Sequence, residues 1–234
     1  MKLTIVGLPI GNIEDISLRS LKVLQNAKYL VCEDSRMFNN LWSKLIQMGL
    51  VQKFEGKIRF VNDFNEYRAL PKIVEEMSGL DEAVLVSDAG MPLISDPGYK
   101  LVNECLKNDW TVDVVPGPTA ESAALAVSGL PTDRYLFVGF LPKKGGKRLQ
   151  TLKEIKEIGD KTKMTVVIYE SPMRIAKILP EVAMIFGEEA PASLAIDLTK
   201  VSQKIMRGSL TEMIKTVETT KIKGELVLMI SVGK

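Results

Sequence analysis

The chain has 234 residues, 46% hydrophobic and 26% charged, the make-up of an ordinary globular protein that is large for one core and comfortable for two. Its 31 basic and 29 acidic residues leave a formal net charge of +2, so a nucleic-acid partner would have to be met by a local basic patch and not by the total. There is no histidine, which excludes a histidine-based triad or a histidine-ligated zinc site, and Cys32 and Cys105 form neither a metal spacing nor a disulfide framework. No apolar run is long enough to cross a bilayer, and the opening MKLTIVG enters a strand and not a secretory signal, so the expected location is the cytoplasm.

In chain order, strand and helix alternate. Residues 3–6 form an apolar run ending at Gly7, and Gly7-Leu8-Pro9-Ile10-Gly11-Asn12 leads to a helix from about Ser17 with Leu18, Leu21 and Leu24 on one face. Residues 29–32 read as a strand running into Glu33-Asp34-Ser35-Arg36, followed by a helix carrying Leu41, Leu45, Ile46 and Met48. A strand over 58–61, the polar stretch Asn62-Asp63-Phe64-Asn65-Glu66 and another helix precede a central strand at 83–86. That strand opens onto SDAGMPLISDPG (87–98), dense in glycine, proline and aspartate, and the C-terminal end of a buried parallel strand is where open α/β sheets put their ligands. Asp96-Pro97 reads as an N-cap followed by proline at the first helical position, with Leu101, Val102, Cys105 and Leu106 as the buried stripe. A strand over 112–115 then ends in Pro116-Gly117-Pro118. Five such units are the pattern of a parallel sheet with helices on its faces.

Two prolines around a glycine stiffen a connection, so the expected division is an N-terminal domain over 1–116 and a C-terminal domain over 117–234, with a cleft at the junction. The second half opens with a small-residue helix (119–128) and a strand (135–141) before Pro142-Lys143-Lys144-Gly145-Gly146-Lys147-Arg148. A charged helix with Leu149, Leu152, Ile155 and Ile158 leads to the β-branched run 165–168, which ends in Tyr169-Glu170-Ser171-Pro172 with the same cap-then-proline start. Pro180 predicts a kink or two short helices, and β-like segments at 193–196, 204–206 and 226–230 predict a mixed sheet.

Each loop has a plain reading and a functional one. Residues 7–12 are either a turn or a place where backbone approaches a ligand, since they match neither G-x-G-x-x-G nor the Walker pattern. Glu33-Asp34-Ser35-Arg36 is either a surface salt-bridge cluster or part of the site beside the central loop. The cations Lys143, Lys144, Lys147 and Arg148 either hold phosphate oxygens or form a solvated loop.

Taken together, the blocks PIGN with EDISLRSL, EDSR, VSDAGMPLISDPGY, VPGPTA, GLPTDRYLFVGFLPKK, YES with Arg174, DLTK and KGE run almost end to end and resemble the tetrapyrrole methylase superfamily of S-adenosylmethionine-dependent methyltransferases, in its ribosomal-RNA branch. The resemblance implies a two-domain class III methyltransferase fold, α/β, with a parallel-sheet N-terminal domain and a mixed-sheet C-terminal domain. It implies S-adenosylmethionine as cofactor, held between the halves, and 2′-O-methylation of a cytidine in the decoding region of small-subunit (16S) ribosomal RNA, by a homodimer. Methylation of a corrin or porphyrin ring, or cofactor binding without turnover, are the alternatives; the EDSR, YES and KGE blocks and the four cations favour RNA.

Carried over position by position, Ile10, Ser87, Asp88, Ala89, Gly90, Thr119, Ala120 and Tyr169 would line the cofactor slot, with Glu170 beside them. Arg36, Lys143, Lys144, Lys147, Arg148 and Arg174 would meet RNA phosphate. A ribose hydroxyl is a poor nucleophile until its proton is leaving, and without histidine the acceptors are carboxylates or a lysine made neutral by burial. Glu170, expected to face the cleft, comes first, then Asp34 and Lys200; the bland alternative is that Glu170 merely pairs with Arg174. The sequence departs from its relatives at 62–66, where they often read HDHNE, at Asp197, where DLTK replaces ELTK, and after KGE, where longer relatives carry a further helical domain.

Overall fold

A computed structural model describes residues 1–62 and 65–233 as two compact units, Met1–Thr119 and Ala120–Lys234. Asp63 and Phe64, from the polar stretch at 62–66, lie outside the described residues.

The first unit alternates β1 (Lys2–Val6), α1 (Leu18–Asn26), β2 (Tyr29–Cys32), α2 (Ser35–Gln47), β3 (Lys57–Phe60), α3 (Glu66–Ser78), β4 (Glu82–Leu85), α4 (Tyr99–Lys107) and β5 (Thr111–Val115). Its strands are all parallel in the order β3-β2-β4-β1-β5. Right-handed crossovers fix where the helices go. From β1 the chain winds toward β3 and then back past β1 to β5, so α1 and α2 cover one face and α3 and α4 the other. The cores agree: Leu30, Cys32 and Val84 pack with Leu21, Leu24, Phe38, Trp42 and Leu45, whereas Leu3, Val31 and Leu85 pack with Ile73, Met77, Leu101 and Cys105. Alternate residues of β1, β2 and β4 therefore serve opposite cores, and both faces of the inner strands are apolar, as a parallel sheet requires. The winding reverses between β1 and β4, which makes that crevice the switch point at which such sheets bind ligands. Burial of Cys32 and Cys105 pushes their thiols up to about 12 and about 11, so both are unreactive packing residues.

One helix start differs from the expectation. α4 begins at Tyr99 with Gly98 at its N-cap and no capping side chain, so Asp96 is not the cap. The loop before it has positive φ at Leu93, Ser95 and Gly98, and this left-handed path, closed at Gly98 by φ 118°, displaces the first turn beyond Pro97.

The second unit runs α5 (Ala120–Ser128), β6 (Tyr135–Phe140), α6 (Gly145–Lys161), β7 (Met164–Glu170), α7 (Ile175–Phe186), β8 (Pro191–Ile196), β9 (Lys204–Ser209), α8 (Leu210–Thr219) and β10 (Leu226–Val232). Its sheet order is β6-β7-β10-β8-β9, with β6 and β7 parallel and the other pairs antiparallel, a mixed sheet. α6, α7 and α8 bury one face over Val166, Ile168, Leu194, Leu228 and Ile230; α5 covers the other.

Three local expectations are corrected here. Pro180 sits inside one continuous α7, where the burial of Ile178, Leu179, Val182 and Ala183 offsets the hydrogen bond its missing N–H forfeits. α7 starts at Ile175, and not at a Ser171-Pro172 cap, with Arg174 at the N-cap position. The basic segment is not a loop: Gly145 begins α6, so Lys147 and Arg148 lie in its first turn and the two glycines are helical.

Candidate functional site

Three loops meet at the switch point of the first unit. Leu8 and Gly90 exchange backbone hydrogen bonds of 2.9 and 3.1 Å, which joins the loop after β1 to the loop after β4. Gly7 donates to Val115 at 3.0 Å, and a Cβ on Gly7 would lie 2.6 Å from the Gly117 Cα, so the loops after β1 and β5 touch only because both residues are glycine. Gly90 has φ 73°, and the space where its Cβ would stand is bounded by Ile10 Cγ2 at 3.4 Å and Pro118 O at 3.6 Å. Ile10, Ser87, Asp88, Ala89 and Gly90 are thus brought to one place, next to Pro118 and Thr119. Ser87 is buried, and its hydroxyl donates to Ala89 O at 3.0 Å, fixing the turn.

Beside these loops a cleft of about 400 Å³ opens over the ends of β2, β3 and β4, lined by Glu33, Asp34, Ser35, Arg36, Phe60, Asn62 and Asp88. Asp34 is the N-cap of α2, accepting from Arg36 N at 2.8 Å, and its carboxylate also holds the Arg36 guanidinium at 3.0 Å from Nε and 2.6 Å from Nη2. Those bonds hold Asp34 down to about 2. Asp88 moves the other way: burial raises it, and the neighbouring Asp34 charge adds to that, against the Asp34 N–H donated to Asp88 Oδ1 at 3.1 Å and the more distant Arg36. The environments of these two neighbouring carboxylates push their pKa values apart. Asp34 is therefore a weak base. Phe60 and Asn62 were not singled out by the sequence; the signal available was an aromatic closing a strand directly before a polar stretch.

In the second unit, the side chain of Glu170 is wholly buried and not open to solvent. Its Oε1 accepts from Ser171 N at 2.7 Å and stands 3.3 Å from Arg174 Nε, while Oε2 has no hydrogen-bond partner. Burial raises its pKa against the pull of the Ser171 amide, Arg174 and Arg148. The expected cleft-facing base is instead part of an internal network. Arg174 Nη2 donates to Leu141 O at 2.9 Å. Arg148, 2% exposed, holds Glu181 through Nε at 2.6 Å and Nη2 at 2.7 Å and donates Nη1 to Pro142 O and Lys143 O. Arg148 is thus corrected from an RNA contact to a structural clamp, because its buried guanidinium makes four hydrogen bonds within the unit. Lys143, Lys144 and Lys147 remain exposed.

Lys200 is also corrected. Burial pulls its pKa down, but hydrogen bonds to Glu225 Oε2 at 3.0 Å and Asp197 Oδ1 at 3.1 Å outweigh it, so the ammonium stays charged and cannot be the neutral base. The DLTK and KGE blocks form one knot: Asp197 also accepts from Glu225 N and from the Ser202 hydroxyl, and its carboxyl group rests on Gly224, where a Cβ would collide with it. Tyr169 packs edge-on against Phe137, with ring centroids 4.8 Å apart, and its hydroxyl donates to Glu121, the residue after Ala120 at the start of α5. Among the described residues no group of three or more Cys, Asp or Glu side chains is placed to hold a metal ion.

Residues 2–214 match the family described as tetrapyrrole (corrin/porphyrin) methylases. A ribosomal RNA small subunit methyltransferase I of Thermotoga maritima is 40% identical over 233 residues, covering 98% of each chain. One of Vibrio cholerae is 39% identical over 231 residues, 97% of this chain and 76% of that protein. Among solved structures, a cobalt precorrin-4 methyltransferase aligns with a TM-score of 0.66 at 18% identity over 98% of this chain and 94% of its own. The uroporphyrin-III C-methyltransferase of Thermus thermophilus, complexed with S-adenosyl homocysteine, aligns with 0.65 at 18% over 100% and 98%. At such identities the structural likeness carries the fold alone.

Proposed function

The chain belongs to the tetrapyrrole (corrin/porphyrin) methylase family and, within it, to the ribosomal RNA small subunit methyltransferase I group, and from that premise we propose that it transfers the methyl group of S-adenosylmethionine to a cytidine 2′-hydroxyl in the decoding region of small-subunit ribosomal RNA. The observation that carries this reading is the junction at the β1/β4 switch point, where glycines hold three loops in contact beside a polar cleft.

The residues present fit the cofactor. Gly90 leaves its backbone bare between Ile10 and the Pro118 carbonyl, and the turn fixed by Ser87 offers the peptide groups of Ala89 and Gly90 to a cofactor's polar edges. When bound, S-adenosylmethionine supplies an electrophilic methyl on a sulfonium, a good leaving group. Thr119, Ala120 and Tyr169 complete the proposed cofactor set. Holding the attacking oxygen in line with the methyl carbon and the sulfur is worth up to roughly 7 to 11 kcal/mol. The proton of the 2′-hydroxyl goes to Asp88, a cleft carboxylate whose pKa is raised; Asp34, clamped by Arg36, supplies fixed negative charge. Lys143, Lys144 and Lys147, with Arg36 and the partly exposed Arg174, meet phosphate. A homodimer and a cytoplasmic place of work complete the reading; no helix among the described residues is long and apolar enough to cross a membrane.

Radiolabelled methyl transfer tests it. Label should enter the 16S RNA of small ribosomal subunits lacking the modification, in a form that protects the adjacent phosphodiester from alkali. Label in precorrin-type rings and not in subunits would overturn it.

A further inference from the structure

We propose that the cleft over β2, β3 and β4 is the pocket for the target nucleotide, extruded from its stack, with Phe60 as the platform on which its base lies. This rests on the RNA-methylating reading above and adds to it a place and a selectivity.

Phe60 is the starting point, because folding does not explain it. Its strand neighbour on the same face, Ile58, packs on the α1/α2 core, whereas Phe60 leaves 53% of its surface exposed and lines the cleft. An apolar ring kept half in water at the rim of a polar cavity forgoes about half of the free energy that full burial would bring. Single-stranded RNA supplies the complementary surface, since unstacked bases lie on aromatic side chains and arginine planes and are read at their Watson–Crick edges. The other lining groups match such a guest. Arg36, with a side chain 88% exposed although bonded to Asp34, offers a guanidinium to stack or to meet phosphate. Glu33 adds a carboxylate to the lining, the kind of group that accepts from the exocyclic amine of cytosine. Uracil carries an acceptor at that position, so the same oxygens would repel it.

Size and order agree. A cavity of about 400 Å³ falls at the small end of ligand pockets, the scale of a single nucleotide. Phe60 ends β3 and Asp88 follows β4, with β2 between them, so the cleft spans two strand spacings, about 10 Å. A base on Phe60 then leaves its ribose beside Asp88, where the loop proposed to hold the cofactor begins. Removing a ribose from a helix to reach its hydroxyl costs base stacking, which an aromatic platform offsets.

The experiment compares Phe60→Ala, Phe60→Tyr and Phe60→Leu in the full chain, reading methyl transfer to small ribosomal subunits, S-adenosylmethionine affinity by calorimetry and thermal stability. Phe60→Ala should lower kcat/KM by about tenfold or more, Phe60→Tyr should stay within about threefold of the parent, and Phe60→Leu should resemble alanine, all with unchanged cofactor affinity. Equal activity of Phe60→Ala, or full activity of Phe60→Leu, overturns the pocket while leaving the RNA reading standing. A parent protein that binds cofactor and labels no subunit overturns the RNA reading itself and the pocket with it.

Discussion

Asp88 in the first unit and Glu170 in the second are carboxylates at the ends of buried strands, and burial pushes both pKa values up, yet their surroundings part company. Asp88 lines an open cleft and takes one backbone N–H, so its acceptor capacity is offered outward. Glu170 has no exposed side-chain surface and faces Arg174, which with Arg148 ties three successive carbonyls, Leu141 to Lys143, to the body of its unit. A strand end and a raised pKa are thus insufficient to name a catalytic group. Access decides: the first arrangement can move a proton to or from a guest, and the second holds a chain segment so that Lys143 and Lys144 face solvent.

The sharpest way to break this contrast is to cut the network. Arg148→Ala leaves Glu181 without its bidentate partner and two carbonyls without donors, and should cost about 3 kcal/mol of folding stability. Urea unfolding reads that loss, while folded protein should keep its affinity for S-adenosylmethionine. A change below about 0.5 kcal/mol would mean that Arg148 is not a clamp and would return it to the RNA-binding set.

The opposite pattern is expected in the cleft. Asp88→Asn keeps the acceptor for the Asp34 amide but removes basicity, so methyl transfer should fall by roughly a hundredfold or more while the unfolding midpoint barely moves. Activity in the parent should also fall with acid, as Asp88 takes up its proton above its ordinary value, and the variant should lose that limb. Transfer within threefold of the parent would leave positioning alone to drive the reaction.

The sequence is informative where the chain answers to a repeating rule. The alternating apolar runs of β1 to β5 are legible because both faces of a parallel sheet are buried, and the β-like runs of the second half are legible by their β-branched residues. Arg148 was legible too: it stands four, seven and eleven residues before Leu152, Ile155 and Gly159, the buried stripe of α6, so helical spacing places it inward although it closes a run of cations. Glu170 was not, because its burial depends on Arg174 and on a segment nearly thirty residues earlier. Phe60 was missed since an aromatic in a strand is read as core, whereas this one, the last residue of β3, is half exposed. Asp96 failed as a cap because left-handed residues in the preceding loop redirect the chain, a feature that leaves no periodic trace.

The smallest effect is the most discriminating for Glu170 itself. Its folded pKa lies above the ordinary carboxylate value of 4.5, so the unfolded chain gives up this proton first as pH rises. The stability tied to the group is therefore fully present below about pH 4.5 and is lost as pH climbs through the higher folded value. Glu170→Gln does not titrate and can still accept from Ser171 N. Relative to the parent, the variant should gain stability across that window, by about 1.4 kcal/mol for each pH unit it spans, and the difference should then level off. Methyl transfer to small subunits should drop less than threefold, since the orphaned Oε2 lies buried. A pH-independent stability difference together with a hundredfold loss of transfer would reverse the assignment, making Glu170 the base and Asp88 the bystander.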